Sequence, residues 1–369
     1  MYGVYLHIPF CKGKCLYCDF YSINYNKDKV CSFLEAIKKE IILRTKKLNT
    51  SQICVDTIYF GGGTPSILRV DQIKKILDTL NDVFSIPPQK EITIEVNPSI
   101  ASDEMFTQYR RVGINRVVIG VQSFDDEELK MLGRNHSVKD SEAAVKLAKL
   151  SGFKKIGFDL IYGLPGQTIE KWEKSLDRTI KLFPSHISTY SLTWNKNTVI
   201  GRMIEDNILS TPDDDLVADM FMLADKKLTD AGYEHYEISN FALPGHRCRH
   251  NDRYWKCKNY FGFGPSAHSF INKKRSKNLS DINMYNYLLL KNILPIEYEE
   301  EITWEKQLIE KISLGLRTND GVPFGYVSQN MDFIQFVISK GLASINHDRL
   351  TLTPRGFLLA DEIALSLII

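Results

Sequence analysis

Three cysteines stand in the run His7-Ile8-Pro9-Phe10-Cys11-Lys12-Gly13-Lys14-Cys15-Leu16-Tyr17-Cys18, a C-x₃-C-x₂-C spacing that follows an apolar β-branched stretch. Thiolates so spaced are metal ligands. A structural zinc site asks for four donors, and Asp19 or His7 is a poor fourth. An iron–sulfur cluster suits the set better: three cysteines can hold three irons of a [4Fe–4S] cube and leave the fourth open. The bland account, three buried thiols that happen to be neighbours, is disfavoured because such crowding is rare. Seven cysteines in all is an odd and sparse number, the usage of a reducing cytoplasm and not of a secreted disulfide frame.

A second group of residues sits where chemistry collects. Gly61-Gly62-Gly63-Thr64-Pro65 follows the second β-branched run, and glycines there let backbone approach a ligand closely. Glu95 and Gln122 end the third and fourth runs, and Asp159 lies within the fifth. In parallel α/β folds, ligands gather at the C-terminal ends of strands. Each residue alone has an ordinary explanation: Glu95 as a strand-end cap, Gln122 as a loop hydrogen bonder, Asp159 as a partner of Lys154 or Lys155. Together they ring one mouth.

The elements that must position these groups alternate along the chain. Strands are expected at 4–8, 57–60, Glu91–Val96, Arg116–Gln122, Lys155–Tyr162 and 187–193, with amphipathic helices such as 30–47, 71–83 and 137–150 between them. Such alternation requires right-handed crossovers and a parallel sheet covered by helices. The fold class is α/β, a partial (βα)₆ TIM-like barrel being preferred over a doubly wound sheet. Thr211-Pro212 followed by Asp213, Asp214 and Asp215 reads as an N-cap at Thr211, a proline at N1 and acids against the dipole. Alternation stops after about residue 232. The stretch 233–270, rich in aromatics, Gly and His, is expected to be a long structured loop. Beyond the acidic residues 297–301 the tail reads helix, helix, hairpin around 346–348, then helix from Pro354, a small α+β module like a winged helix. The expected blocks are 1–232, 233–296 and 297–369.

Composition excludes several classes of function. Hydrophobic residues at 43% and charged residues at 25% argue against disorder. Lys and Arg number 47 against 45 Asp and Glu, so no global field recruits nucleic acid or an anionic membrane. No apolar run approaches the roughly 18 residues of a membrane-spanning helix. The first residues lack the basic and apolar regions of a signal peptide. A cytoplasmic location is expected.

The cysteine spacing and the Gly61–Gly63 segment together resemble the radical S-adenosylmethionine (SAM) enzymes. The resemblance implies a [4Fe–4S] cluster on Cys11, Cys15 and Cys18, with SAM chelating the open iron. It narrows at Gln122-Ser123-Phe124, Arg134 and Asp159-Leu160-Ile161-Tyr162-Gly163-Leu164-Pro165, which are similar to the oxygen-independent coproporphyrinogen III oxidase branch. The SAM contacts it implies are Tyr5, Tyr17, Gly62, Gly63, Thr64, Glu95, Gln122, Arg134 and Asp159. Two departures stand out. Phe20 occupies the position of a further cysteine in the oxidases, and ten residues precede Cys11 where the oxidases carry an N-terminal extension.

Both departures resemble the HemW-type haem chaperones of that branch, as does His250-Asn251-Asp252-Arg253-Tyr254-Trp255, similar to their H-N-x-x-Y-W motif. The resemblance implies haem binding and delivery to acceptor haemoproteins. A neutral His250 imidazole can ligate haem iron, Tyr254 and Trp255 can lie against the macrocycle, and Arg247, Arg249 and Arg253 can pair with propionates. Cys248 is a rival axial ligand, with His246, His268 and Cys257 weaker ones. Without the motif match, the run reads as a capped surface loop.

Overall fold

Short runs rich in Val and Ile suit strands buried on both faces of a parallel sheet, and the chain uses them so. The computed structural model describes residues 1–46 and 53–368. The expected helix 30–47 therefore ends outside the described residues. The strands are β1 (Tyr2–Ile8), β2 (Val55–Gly62), β3 (Glu91–Val96), β4 (Arg116–Gln122), β5 (Lys155–Tyr162) and β6 (His186–Ser191). Between them run α1 (Lys27–Thr45), α2 (Val70–Val83), α3 (Asp103–Arg111), α4 (Asp126–Met131), α5 (Val138–Leu150) and α6 (Ile169–Leu182), and α7 (Val199–Glu205) follows β6. Three of the expected strands, β3, β4 and β5, have the bounds read from the sequence.

The stretch expected as a loop is folded. It contains β7 (Glu234–Glu237), β8 (Asn240–Ala242), the short α9 (Asn251–Trp255), β9 (Tyr260–Phe263) and β10 (His268–Ile271). After β11 (Lys274–Asn278) and α10 (Ile282–Leu290), the acidic residues form β12 (Ile296–Glu301). That strand pairs antiparallel with basic β11, setting Lys274 against Glu299 at 2.6 Å and Lys277 against Glu297 at 2.7 Å. Exposed pairs like these contribute little stability individually; their value is to fix the register.

The chain divides into two compact units, each drawn from three segments. The first comprises Met1–Asp159, Thr193–Leu209 and Asn259–Glu301; the second comprises Leu160–Leu192, Ser210–Lys258 and Ile302–Ile369. The serial blocks 1–232, 233–296 and 297–369 cut the chain elsewhere, because neighbours in space, not order along the chain, decide compaction.

In the first unit the strand order is β12-β11-β10-β9-β1-β2-β3-β4-β5. β1 lies between β9 and β2, parallel to both, with Gly3 opposite Tyr260 and Ile8 opposite Gly62. Helix α1 is tied to this sheet by a buried carboxylate. Glu40 accepts from Arg44 at 2.9 Å, the Tyr285 hydroxyl at 2.6 Å, the Asn278 amide at 2.8 Å and the Gly264 N–H at 2.9 Å. A buried charge so fully satisfied is tolerable; half-satisfied it would be costly.

In the second unit the end of β5 is followed by β6, β8 and β7. α6 lies with α8 (Asp214–Asp230), and Trp172 donates its indole N–H to the Met220 carbonyl at 2.9 Å. The cap of α8 is Asp213, whose carboxylate accepts from Leu216 N at 2.7 Å, and not the expected Thr211. Asp213 wins because it combines a cap oxygen with negative charge at the positive helix end. The tail carries α11 (Trp304–Gly315), β13 (Val322–Pro323), α12 (Met331–Ser339), a hairpin of β14 (Ala343–Asn346) with β15 (Arg349–Leu352), and a short helix Pro354–Phe357. The strand β13 stands between the two helices, an element absent from the expected order of helix, helix, hairpin and helix.

Candidate functional site

The base of the cysteine loop is held by backbone on two sides. Ile8 O accepts from Gly63 N and Phe10 O accepts from Thr64 N, both at 2.8 Å. Pro9 O accepts from Ile23 N at 2.7 Å and Cys11 O from Tyr25 N at 2.8 Å. The middle of the loop is gripped through Leu16, whose N–H donates to Leu132 O while its carbonyl accepts from Ile200 N, each at 3.0 Å. The glycines answer to this backbone before any ligand. A Cβ on Gly63 would stand 2.9 Å from both Ile8 O and Phe10 O, and Gly62 has φ +106° and sits against the His7 ring.

Within the loop the three thiols feel one another. Burial first, then neighbouring Cys15 and Cys11, push the Cys18 thiol up to about 11, against the Phe20 amide and Lys14. Cys11 Sγ is 3.5 Å from the Thr64 hydroxyl, and Cys15 Sγ is 3.4 Å from Arg134 Nη1. Three half-buried thiols, one beside a hydroxyl and one beside a guanidinium, are a donor set suited to thiolate ligation of a metal. Among the described residues no three His, Cys, Asp or Glu side chains converge on a single metal ion. A cubane does not ask for that, since each thiolate takes a different iron.

The strand-end residues gather beside the loop. Glu95 is buried and accepts from the Tyr59 hydroxyl at 2.9 Å. Burial, with Asp159 adding repulsion, pushes its carboxyl up to about 8 despite hydrogen bonds from Tyr59 and the Gly62 N–H. Tyr5 stacks on Tyr59, and its hydroxyl lies 3.3 Å from His7 Nδ1. His7 Nε2 faces the Tyr21 carbonyl at 2.8 Å, so Nε2 carries the proton and Nδ1 accepts from Tyr5. Burial holds that ring neutral, down to about 4. Gln122 adopts φ +67° at the end of β4. Burial raises the Tyr17 phenol, with Arg134 opposing and Cys15, Cys18 and Asp159 reinforcing. Burial would pull the Arg134 guanidinium down, yet Tyr17 and Cys15, as charges and hydrogen-bond partners, hold it above its usual value.

Tyr5, Tyr17, Gly62, Gly63, Thr64, Glu95, Gln122, Arg134 and Asp159 thus all belong to the first unit, as do the three cysteines. Of the ordinary explanations, Lys155 is taken by Glu91 at 3.0 Å. Tyr59 and His136 escaped the sequence reading. Period-two spacing to Gly61 marks Tyr59, and His136 stands two residues after Arg134.

The run from His250 belongs to the second unit. His250 is 1% exposed, immediately before α9, with Nε2 at 2.9 Å from the Tyr254 hydroxyl. The two rings meet edge to face at 88°, centroids 5.3 Å apart. The Trp255 indole N–H is buried without a hydrogen-bond partner among the described residues. Cys248 is buried too. Arg247, expected to be available for propionates, is committed to Glu234, Asp320 and Asn319, and Arg253 is buried. His268 is on β10 of the first unit.

A parallel sheet with a three-cysteine loop off its first strand defines the class of protein, a radical SAM protein, and residues 5–179 match the Radical SAM superfamily. The chain is similar along 99% of its length to the solved coproporphyrinogen III oxidase (HemN) of Escherichia coli, with a TM-score of 0.86 over 89% of that chain at 24% identity. That likeness shows the fold alone. The chain is 35% identical to the Heme chaperone HemW of Mycobacterium tuberculosis, over 100% of this chain and 95% of that one. It is 34% identical to the Bacillus subtilis protein of the same name over 98% of each, and 38% to that of Escherichia coli over 73% and 70%. The chain belongs to the HemW family. As a radical SAM protein it takes a [4Fe–4S] cluster and SAM as cofactors. Among the described residues no helix is long and apolar enough to cross a membrane.

Proposed function

We propose that this chain is a cytoplasmic haem chaperone that binds haem and passes it to acceptor haemoproteins. Full-length likeness to proteins named heme chaperones carries this reading. The run His250–Trp255, with its imidazole and its unpartnered indole N–H, supports it. Cys11, Cys15 and Cys18 hold the cluster, and Tyr5, Tyr17, Gly62, Gly63, Thr64, Glu95, Gln122, Arg134 and Asp159 surround SAM. Bound there, the cluster supplies one-electron reducing power, which requires an external electron donor. The chain's own residues do the rest. Arg134 places positive charge at the Cys15 sulfur, Tyr59 fixes the Glu95 carboxyl, and the Gly62–Thr64 backbone keeps the loop base in register. His250 offers the haem iron an imidazole nitrogen, with Cys248 as the rival ligand.

Anaerobic reconstitution with iron and sulfide, followed by parallel assays, tests this. The loaded protein should bind haem saturably and leave coproporphyrinogen III unconverted when given SAM and reductant. His250→Ala should weaken haem binding or shift the Soret band while leaving cluster absorbance intact. Robust porphyrinogen turnover, or a Soret band that changes with Cys248→Ala and not with His250→Ala, would overturn the corresponding assignment.

A further inference from the structure

Besides Tyr17, the Arg134 guanidinium engages three groups: Nη1 meets Cys15 Sγ at 3.4 Å, Nη2 meets Gly120 O at 3.0 Å, and Nε meets His136 Nδ1 at 3.4 Å. The other ring nitrogen of His136, Nε2, lies 3.1 Å from Val121 O. A carbonyl can only accept, so Nε2 carries the proton and Nδ1 is left with a lone pair aimed at the Arg134 Nε–H. A cationic ring would put a donor against a donor. We propose that His136 is a positioning residue, which holds the Arg134 guanidinium against the Cys15 sulfur and thereby tunes the cluster and the SAM pocket beside it. This rests on the reading of Cys11, Cys15 and Cys18 as cluster ligands and of Arg134 as a SAM contact.

The surroundings favour a dedicated device. Burial first and then Arg134 keep the His136 ring neutral, down to about 4, against the Val121 carbonyl, Asp140 and Asp126. Gly120 leaves room for the guanidinium: a Cβ there would stand 3.4 Å from Arg134 Nη2 and 2.9 Å from Gln122 Nε2. The backbone of the same segment grips the next residue of the loop, Leu132 O accepting from Leu16 N at 3.0 Å. Residues 132–136 therefore hold Cys15 by side chain and Leu16 by main chain. Hydrogen bonds to cluster sulfurs are one of the levers on cluster potential, a donor stabilising the more negative reduced state.

The test compares His136→Leu with His136→Asn in the reconstituted full-length protein. The two side chains are close in size, and only the amide can accept from Arg134 Nε. Both variants are followed by redox titration of the cluster and by equilibrium binding of SAM. His136→Leu should shift the midpoint potential downward and weaken SAM binding by about tenfold, the effect of one charge-assisted hydrogen bond. His136→Asn should recover most of both. Equal shifts in the two variants, or none in either, would overturn the positioning role, since a purely packing role does not tell an amide from an isobutyl group. If His136→Leu gives no folded protein, His136→Phe, a ring without nitrogens, replaces it with the same expectation. Failure of the unsubstituted protein to take up a cluster or bind SAM overturns the site reading itself, and the positioning with it.

Discussion

Tyr254→Phe should make this protein bind haem more tightly. The Tyr254 hydroxyl occupies His250 Nε2 at 2.9 Å, in an imidazole that is 1% exposed. For Nε2 to meet an iron, that bond must break. Removing the hydroxyl keeps the edge-to-face contact of the two rings and deletes only the bond. A hydrogen bond of this kind contributes a net 0.5–1.5 kcal/mol, so its loss should lower the haem dissociation constant by about 2- to 12-fold. The assay is an anaerobic Soret titration of the wild type, Tyr254→Phe, His250→Ala and the double variant. In the His250→Ala background the same tyrosine change should have no effect, because the nitrogen it occupies is gone. Weaker binding in Tyr254→Phe, or an equal gain with and without His250, refutes the reasoning and would mean that the hydroxyl serves the porphyrin directly.

Two further outcomes are expected. Cys15→Ala should abolish the reconstituted cluster chromophore, whereas Cys31→Ala, on the exposed part of α1, should leave it intact; equal loss in both would undo the ligand assignment. Glu237, buried beside the Ser239 N–H and the Asn240 amide, has its carboxyl pushed up to about 8, by burial above all. The folded chain then keeps a proton that the unfolded chain loses above about pH 4.5, so this group's contribution to stability falls as pH rises to about 8 and levels off beyond. The slope is about 1.4 kcal/mol per pH unit. Glu237→Gln should remove it from urea unfolding midpoints measured across that window; a wild-type-minus-variant difference that stays constant with pH sinks this account.

Legibility followed distance along the chain. The bounds of β3, β4 and β5 could be read because each is a short run rich in β-branched residues closed by a turn residue. The strands β7 to β10 could not: they have 3–4 residues, and partners far away supply their burial. The cysteines were legible because all three fall within eight residues. The side-chain contacts of the site were not, since the Tyr59–Glu95 bond spans 36 residues and the Arg134–Cys15 contact 119. Spacing placed Cys31 on the expected helix 30–47 without saying which way it faces, and it faces solvent. Likewise Arg247 read as free for propionates, because nothing local announces Glu234 or Asp320 as its partners.

The pairing of Gly3 with Tyr260 sets a clock on the making of this protein. A ribosome adding about 5–20 residues per second finishes β9 roughly 13–50 s after β1 has emerged. Throughout that interval the first strand lacks one of its two neighbours, and Leu132 and Ile200, which grip the cysteine loop, are themselves still to come for part of it. Long-range parallel pairing also makes the final closure slow. The thiols proposed to hold the cluster are thus among the first atoms synthesised, and their loop waits for Leu132 and Ile200 before it is held. Until those residues have been added, the nascent chain needs its cysteines kept reduced.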